Sequence, residues 1–482
     1  MKLRFLQFVK IQLLILAFAA LFMLFPLIVS LVYGEGLCRA YFIPMLIVLL
    51  PLGLVLFLTR GEKITLASSD GLLVVFSVWV LSALLGAFPY ILSGTAASWT
   101  DAVFESVSGF TTTGATVYED VESLPRSILL WRGLTHWLGG MGIVVLTVAL
   151  LPVLGAGGFQ MLRAESPGPE SEKFTPRITE TAKILWSFYV GFSFLQMILL
   201  MLGGMGWLDA AVHAFSTMST GGFSTRNGSI ASYRSPWIEW VCTVFMILAG
   251  FNFTLYFRLI RGKFRDVFNN TEAKTYVLII LLSAAAVCLA ILPAGASAEE
   301  SLRKGLFHTA SLITTTGFAA ADHGRWAPLA QGILFFLMFI GGCSGSTAGG
   351  VKVIRHVILF KQAGNELKKQ LYPRGVFTIS LNKKEGDKHL VYGAAGFVFA
   401  YLLSVLTVTL AVSSCGIDIF SSLNAALITI GNIGLGLAGT GPGYTFAGFP
   451  PYLKWLFSFV MIAGRLELWT ALVFFSKNYW RS

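Results

Sequence analysis

The segment Ser108-Gly109-Phe110-Thr111-Thr112-Thr113-Gly114-Ala115 closes a short apolar run, residues 102–110, that is too brief to cross a bilayer. The pattern returns three times. Ser216-Thr217-Met218-Ser219-Thr220-Gly221-Gly222-Phe223 ends the run 210–218, and Leu312-Ile313-Thr314-Thr315-Thr316-Gly317-Phe318 ends the run 302–313. Leu427-Ile428-Thr429-Ile430-Gly431-Asn432-Ile433-Gly434 ends the run 419–428. Each run lies between two longer apolar stretches, so the unit is span, half-helix, Gly loop, span, with a period of roughly 100 residues. A single Thr-Thr-Gly in an apolar chain reads as a small-residue helix contact. Four of them, each ending a non-spanning run, read as a duplicated architecture built around a membrane pathway.

Outward from these loops, long apolar stretches lie near residues 11–32, 41–58, 71–92, 128–154, 182–202, 237–260, 276–292, 332–360, 390–412 and 452–475. The expected fold is an all-α integral membrane protein with about ten transmembrane helices around one central pore. Residues 1–66 hold two extra N-terminal helices; the four pore repeats cover 67–160, 161–268, 269–365 and 366–482. Ala17-Phe18-Ala19 mimics a signal cleavage site, but the apolar run continues past it, so the first helix is expected to stay uncleaved. Composition points the same way. Of 482 residues 55% are hydrophobic and only 12% charged, too few charges to cover soluble cores of this size, while disorder and disulfide scaffolds are excluded. The five cysteines are scattered with no CxxC pair and read as small core residues.

The net charge of +11 collects in alternate gaps between the spans: Arg60 and Lys63; Arg163, Lys173 and Arg177; Arg258, Arg261, Lys263 and Arg265; and the stretch 352–388. With the N-terminus in the cytoplasm, roughly twenty-five basic residues fall inside and about eight outside. That bias places the entry of all four short runs on the outer face. No basic stripe meets a polar domain, so nucleic acid is not an expected partner. The stretch 361–388 is the most polar of the chain and reads either as a solvated loop or as a docking surface for a cytosolic partner.

The loops carry the chemistry. Irregular backbone is tolerated at membrane depth where protein buries it or water reaches it. Glycine opens φ values closed to other residues, so a Thr-x-Gly stretch can aim successive carbonyls one way. Four stretches around an axis stack rings of oxygens that replace the hydration shell of an alkali cation, as the four loops of potassium channels do. Half-helices entering from outside bring their negative dipole ends together below the loops. Asp101, Glu105, Glu119, Asp120, Glu122, Glu299, Glu300 and Asp322 lie near the outer mouth, where they are expected to enrich cations.

Two further features stand out. Gly341-Gly342-Cys343-Ser344-Gly345-Ser346-Thr347-Ala348-Gly349-Gly350 interrupts a span with too many glycines for continuous helix, which leaves tight helix packing or a broken helix with a loop below the filter. Arg465 lies inside the last span, where it needs a cavity or carbonyl partners; Glu467, two residues on, faces another way. His136, His213 and His308 read as packing or capping groups, without metal-site spacing. An enzyme is not expected: Gly342-Cys343-Ser344-Gly345 resembles the GxSG of rhomboid proteases, but no later span holds a histidine base. Walker A is absent, so no nucleotide is expected to bind this chain.

These motifs resemble, over essentially the whole chain, the Trk/Ktr/HKT superfamily of potassium transporters, and the two extra N-terminal spans are similar to those of its Trk branch, the membrane subunits of bacterial Trk systems. The resemblance implies a multi-pass protein of the bacterial inner membrane that takes up potassium, bound and transported as the ion. It implies filter carbonyls around Thr112, Thr113 and Gly114; Ser219, Thr220 and Gly221; Thr315, Thr316 and Gly317; and Thr429, Ile430, Gly431 and Asn432. Gly114 matches the residue that the superfamily ties to potassium, with Ser there tied to sodium. Ile430 and Asn432 depart from the Thr-Gly pattern and imply a filter short of fourfold symmetry. The resemblance also implies an intramembrane gate at Gly345, Ser346, Thr347, Gly349 and Gly350, with Arg465 beside it. The partners it implies are a second copy in a homodimer, the lipid bilayer, and a cytosolic TrkA-like ring that binds NAD(H) or ATP/ADP. Sodium- or proton-coupled symport is the alternative, with Glu467 as the main candidate relay.

Overall fold

The computed structural model describes residues 2–59, 68–140, 142, 178–292, 297–382, 384–386, 388–437, 443–477 and 479. These are almost entirely helical. The N-terminal pair is a broken first helix, α1 (Lys2–Phe22) and α2 (Leu24–Val32), packed on α3 (Cys38–Leu58). The break falls at Met23, three residues before Pro26, whose ring cannot continue an interior helix.

The four repeats follow. The first holds α4 (Ser68–Leu92), the half-helix α5 (Trp99–Phe110) and α6 (Arg126–Gly140). The second holds α7 (Ile178–Leu202), α8 (Trp207–Met218) and a bent pair, α9 (Pro236–Ala249) and α10 (Phe253–Ile260), which meet at 91°. A short α11 (Phe264–Phe268) leads to the third: α12 (Thr271–Ile291), α13 (Ala298–Ile313), α14 (Pro328–Leu337) and α15 (Val353–Leu371). A two-stranded antiparallel hairpin, β1 (Ile379–Leu381) and β2 (Lys384–Gly386), precedes the fourth: α16 (Lys388–Ser413), α17 (Ile419–Gly431), α18 (Pro451–Arg465) and α19 (Trp469–Leu472).

Among the described residues six helices are long and apolar enough to cross a membrane, or seven with the bent pair counted as one. Among the described residues the second spans of the second, third and fourth repeats are not straight crossings, and the break at the glycine cluster is one of the two readings left open above. The 237–260 stretch bends at Gly250-Phe251-Asn252, where the Asn252 side chain caps the new helix by accepting from Thr254 N. The 332–360 stretch is interrupted between Leu337 and Val353 by the glycine cluster, and the 452–475 stretch breaks after Arg465. Most of the expected 128–154 span beyond Gly140 lies outside the described residues, as do the basic residues Arg60, Lys63, Arg163, Lys173 and Arg177.

The half-helices α5, α8, α13 and α17 have 12, 12, 16 and 13 residues. At 1.5 Å per residue even the longest falls short of the ~30 Å hydrocarbon core. Three start at an N-cap side chain: Ser98 accepts from Asp101 N, Ser297 from Glu300 N, and Asp418 from Ser421 N. Their C-terminal ends are buried, whereas the long helices leave Leu50, Leu202, Leu281 and Leu406 exposed on the outside of the bundle. The half-helices therefore form the inner layer and the long helices the lipid-facing layer.

Candidate ion pathway

Each half-helix ends in one and the same backbone device. A residue in the left-handed region follows the last turn: Thr112 (φ 54), Thr220 (φ 55), Thr315 (φ 57) and Asn432 (φ 52). The next amide folds back onto the carbonyl five residues earlier: Thr113 N on Ser108 O at 2.9 Å, Gly221 N on Ser216 O at 2.7 Å, Thr316 N on Ser311 O at 2.8 Å, and Ile433 N on Ile428 O at 3.0 Å. This is a Schellman-type helix end in which threonine three times occupies a place that usually takes glycine. A β-branched residue at positive φ is strained by about 1–3 kcal/mol, so the surroundings hold it there.

One residue further on stands a positive-φ glycine in every loop: Gly114, Gly222, Gly317 and Gly434. Their neighbours close a ring. A Cβ on Gly114 would lie 2.1 Å from the carbonyl oxygen of Gly221; on Gly222, 2.1 Å from that of Thr316; on Gly317, 2.0 Å from that of Ile433; on Gly434, 2.3 Å from that of Thr113. Each loop thus leans its glycine on the carbonyl of the next, in chain order, and the fourth returns to the first. All four glycines line one cavity of about 100 Å³, together with Thr116 and Glu119. The Asn432 amide donates to Thr113 Oγ1 (2.8 Å) and Met461 O (3.0 Å), which ties the divergent fourth loop to the first.

This frame shifts the register of two loops. In the second, the glycine equivalent to Gly114 is Gly222; Gly221 supplies the carbonyl before it, and Ser219 caps the helix. In the fourth, the equivalent set is Asn432, Ile433 and Gly434, while Thr429, Ile430 and Gly431 lie in the last turn of α17. The physical reason is the close approach: only the later glycine of each pair meets a neighbouring loop's carbonyl at positive φ.

Behind the ring the half-helices brace the outgoing chain. Glu105 accepts from Thr116 Oγ1 and Val117 N (3.0 Å) and pairs with Arg132 Nε at 2.8 Å, both side chains fully buried; Arg132 also donates to Ser224 O at 3.1 Å. At the equivalent place in the next two repeats stand His213, within 2.9 Å of Ser224 Oγ, and His308, within 3.2 Å of Ala321 O. In the fourth that place is Ala425, and the residue before it, Asn424, accepts from Leu437 N at 3.2 Å. The acidic residues expected at the mouth are mostly engaged. Asp101 pairs with Lys454, Glu122 with Arg226, Glu299 with Arg303, Glu300 with Lys304 and Asp322 with Arg325, and Asp120 accepts from the Asn227 amide. Their field at the mouth is therefore weaker than a bare count of carboxylates implies.

Directly beneath the ring lies the segment between α14 and α15. Its ends pair through Gly341 N to Val351 O (2.8 Å) and Val353 N to Gly342 O (3.2 Å). Gly349 N donates to Thr315 Oγ1 at 2.7 Å, and Thr347 Oγ1 donates to Met218 O at 3.0 Å, so the segment hangs from the ends of two half-helices. A Cβ on Gly349 would come within 2.6 Å of Gly431 O. The 91° bend of α9 and α10 makes room for it: Cys343 N donates to Gly250 O at 2.9 Å and Phe253 N to Gly345 O at 3.1 Å. Ser346 caps the turn by donating to Cys343 O (2.6 Å), and Gly345 and Gly350 take positive φ. Arg465 donates to Thr347 O at 2.7 Å and to Gly139 O and Gly140 O at 2.9 and 2.8 Å, a cation at the negative end of α6. Glu467 is ion-paired with Arg355.

Residues 39–482 match the family model TrkH, described as a cation transport protein. The chain belongs to this family. Among TrkH-family relatives it is 39% identical over 465 residues, 95% of this chain and 96% of the other, to the Trk system potassium uptake protein TrkH of Salmonella typhimurium. It is 34% identical over 467 residues to TrkG of Escherichia coli, with 96% of each chain covered. The crystal structure of the potassium transporter TrkH from Vibrio parahaemolyticus superposes with a TM-score of 0.88 at 34% identity, covering 99% of this chain and 100% of that one. Sequence reading of this TrkH-family chain missed the α9–α10 bend and the Glu105–Arg132 pair. An Asn-capped restart after Gly250-Phe251 was the available signal for the first; the second joins residues 27 apart that no local pattern links.

Proposed function

We propose that this chain takes up potassium across the bacterial inner membrane, and that the ion passes the ring of loop carbonyls at Thr112, Thr113 and Gly114; Thr220, Gly221 and Gly222; Thr315, Thr316 and Gly317; and Asn432, Ile433 and Gly434. The single observation that carries this reading is the closed cyclic contact of four glycines on four neighbouring carbonyls. It packs backbone oxygens of four repeats about one axis at the ends of four converging half-helices, where a partly dehydrated cation replaces water with carbonyls. Gly114 and the names of the relatives favour potassium over sodium.

The segment at Gly345, Ser346, Thr347, Gly349 and Gly350 acts as the gate, held by Arg465. The N-terminus faces the cytoplasm, which sets the basic stretch 352–388 on the side where a TrkA-like ring binding NAD(H) or ATP/ADP docks, and the chain works as a homodimer. Passive flux is favoured over coupled symport by the engagement of Glu467 with Arg355, which leaves that carboxylate tied as half of an ion pair.

The test is rubidium uptake into potassium-loaded liposomes holding the purified protein, first without a sodium gradient and then with external sodium as competitor. Uptake driven by potassium alone, blocked by potassium and little by sodium, is the expected result. Uptake that appears only with sodium or a proton gradient overturns the passive reading. Deleting residues 345–350 raises flux; unchanged flux in that variant removes the gate assignment.

A further inference from the structure

The intramembrane segment is fastened from a direction that the ring and Arg465 do not explain. Glu272, the second residue of α12, is buried, and one of its carboxylate oxygens, Oε1, accepts from two amides: Ser344 N at 2.7 Å and Ile354 N at 3.2 Å. Ser344 lies in the entering arm of the glycine segment and Ile354 just past its leaving arm. A single carboxylate therefore clasps both arms.

The residue before it is engaged as well. Thr271 N donates to Asn382 Oδ1 at 2.8 Å, and Asn382 N donates back to Thr271 Oγ1 at 3.3 Å. Asn382 sits at the tip of the cytosolic hairpin with φ 50, a left-handed position that asparagine tolerates better than most residues. The base of the same hairpin rests on α15: the Lys361 ammonium donates to Ser380 O, and the Asn365 amide to Thr378 O at 3.4 Å. The contacts close a loop. They run from the glycine segment through Ile354 and α15 to the hairpin, from Asn382 to Thr271, and from Glu272 back to Ser344.

We propose that Glu272 is a positioning residue that latches the glycine segment, and that the Asn382–Thr271 pair couples this latch to the cytosolic hairpin. A displacement of the hairpin moves the first turn of α12, and with it the carboxylate on which both arms hang. Carboxylate chemistry suits the task, because hydrogen bonds to a charged acceptor are stronger than those between neutral groups. The effect on flux rests on the reading of the segment as a gate; the latch itself does not.

Cys343, fully buried beside Ser344, reports on the latch independently of transport. The full-length protein in liposomes is treated with N-ethylmaleimide, and labelling of the Cys343 peptide is followed by mass spectrometry, with Cys38 as internal reference. Rubidium uptake is measured in parallel. Glu272→Ala raises the Cys343 labelling rate roughly tenfold or more, as expected when two hydrogen bonds to a charged group are lost, and raises flux. Glu272→Gln, which keeps an acceptor, restores most of the protection. Asn382→Ala, outside the membrane, gives a smaller rise in labelling, and combining it with Glu272→Ala adds nothing further. Protection of Cys343 unchanged in Glu272→Ala overturns the latch, even where deletion of 345–350 still raises flux. Protection unchanged in Asn382→Ala overturns the coupling, and that variant tests the chain of contacts should Glu272→Ala fail to fold. Labelling that rises while neither Glu272→Ala nor the deletion changes flux sustains the latch and removes the gate reading.

Discussion

Replacing Gly222 by alanine isolates what the ring requires. Gly222 has φ +83, and a methyl placed on it would stand 2.1 Å from Thr316 O. Ordinary C–H···O contacts begin near 3.3 Å, so the Thr316 carbonyl or the second loop must yield by about 1.2 Å. Gly416 supplies the matched control. Its φ is +82, and nothing lies within 4 Å of a Cβ there. Both substitutions carry the same left-handed penalty of roughly 1–2 kcal/mol, and they differ only in crowding. A misplacement of about 1 Å in a preorganised site is worth about 10²-fold in rate. Rubidium uptake by Gly222→Ala is therefore expected to fall about 10²-fold, or to lose its discrimination against sodium, while Gly416→Ala stays within about twofold of the parent. Uptake by Gly222→Ala at the parent's rate and selectivity would refute the reasoning, because a carbonyl displaced that far cannot remain a ligand of the same ion.

Arg132→Met strands the buried Glu105 carboxylate and is expected to destabilise the protein by about 3–5 kcal/mol, whereas the double replacement with Glu105→Gln recovers most of the loss; thermal unfolding in detergent reads both. Arg465→Ala frees the carbonyls of Thr347, Gly139 and Gly140 and is expected to raise rubidium flux, measured in the same liposomes. The Asn227 amide on the exposed Asp120 holds that carboxyl below its ordinary value of 3.8. Because the folded value is depressed, the clasp between the loops that follow the first two half-helices is present above that ordinary value and is lost as pH falls through the lowered one. Protection of the Val121 and Asn227 amides, measured as exchange relative to the intrinsic rate at each pH, is expected to hold at neutral pH and to fall only in stronger acid.

The half-helices were legible in the sequence because they are local. A run of about 10 apolar residues closed by Thr and Gly needs no long-range partner to be recognised. The glycine cluster and Arg465 were legible for the same reason: each breaks the rule of its own span. Register was not. Gly221 and Gly222 are adjacent, and Gly431 and Gly434 both follow an apolar run, so only the approach of a neighbouring loop decides which one must lack a side chain. Partners distant in sequence were equally hidden. Arg303 pairs with Glu239 from 64 residues away, and Asn432 reaches Thr113 across 319. The sequence displays the residues and not the meeting. The bend at Gly250 was obscured by hydropathy, since residues 237–260 are apolar enough to pass as one straight crossing.

The four loops belong to one polypeptide, and that governs how the ring can change over generations. In a pore assembled from four identical subunits, one codon alters every quadrant at once. Here a codon alters a single quadrant while three hold their shape. Asn432 is the corner that differs: in place of the threonine found at the other three, it carries an amide that anchors to Thr113 and Met461. With the ring as the proposed ion path, one substitution reshapes one quarter of it, set against a scaffold that the other three keep standing.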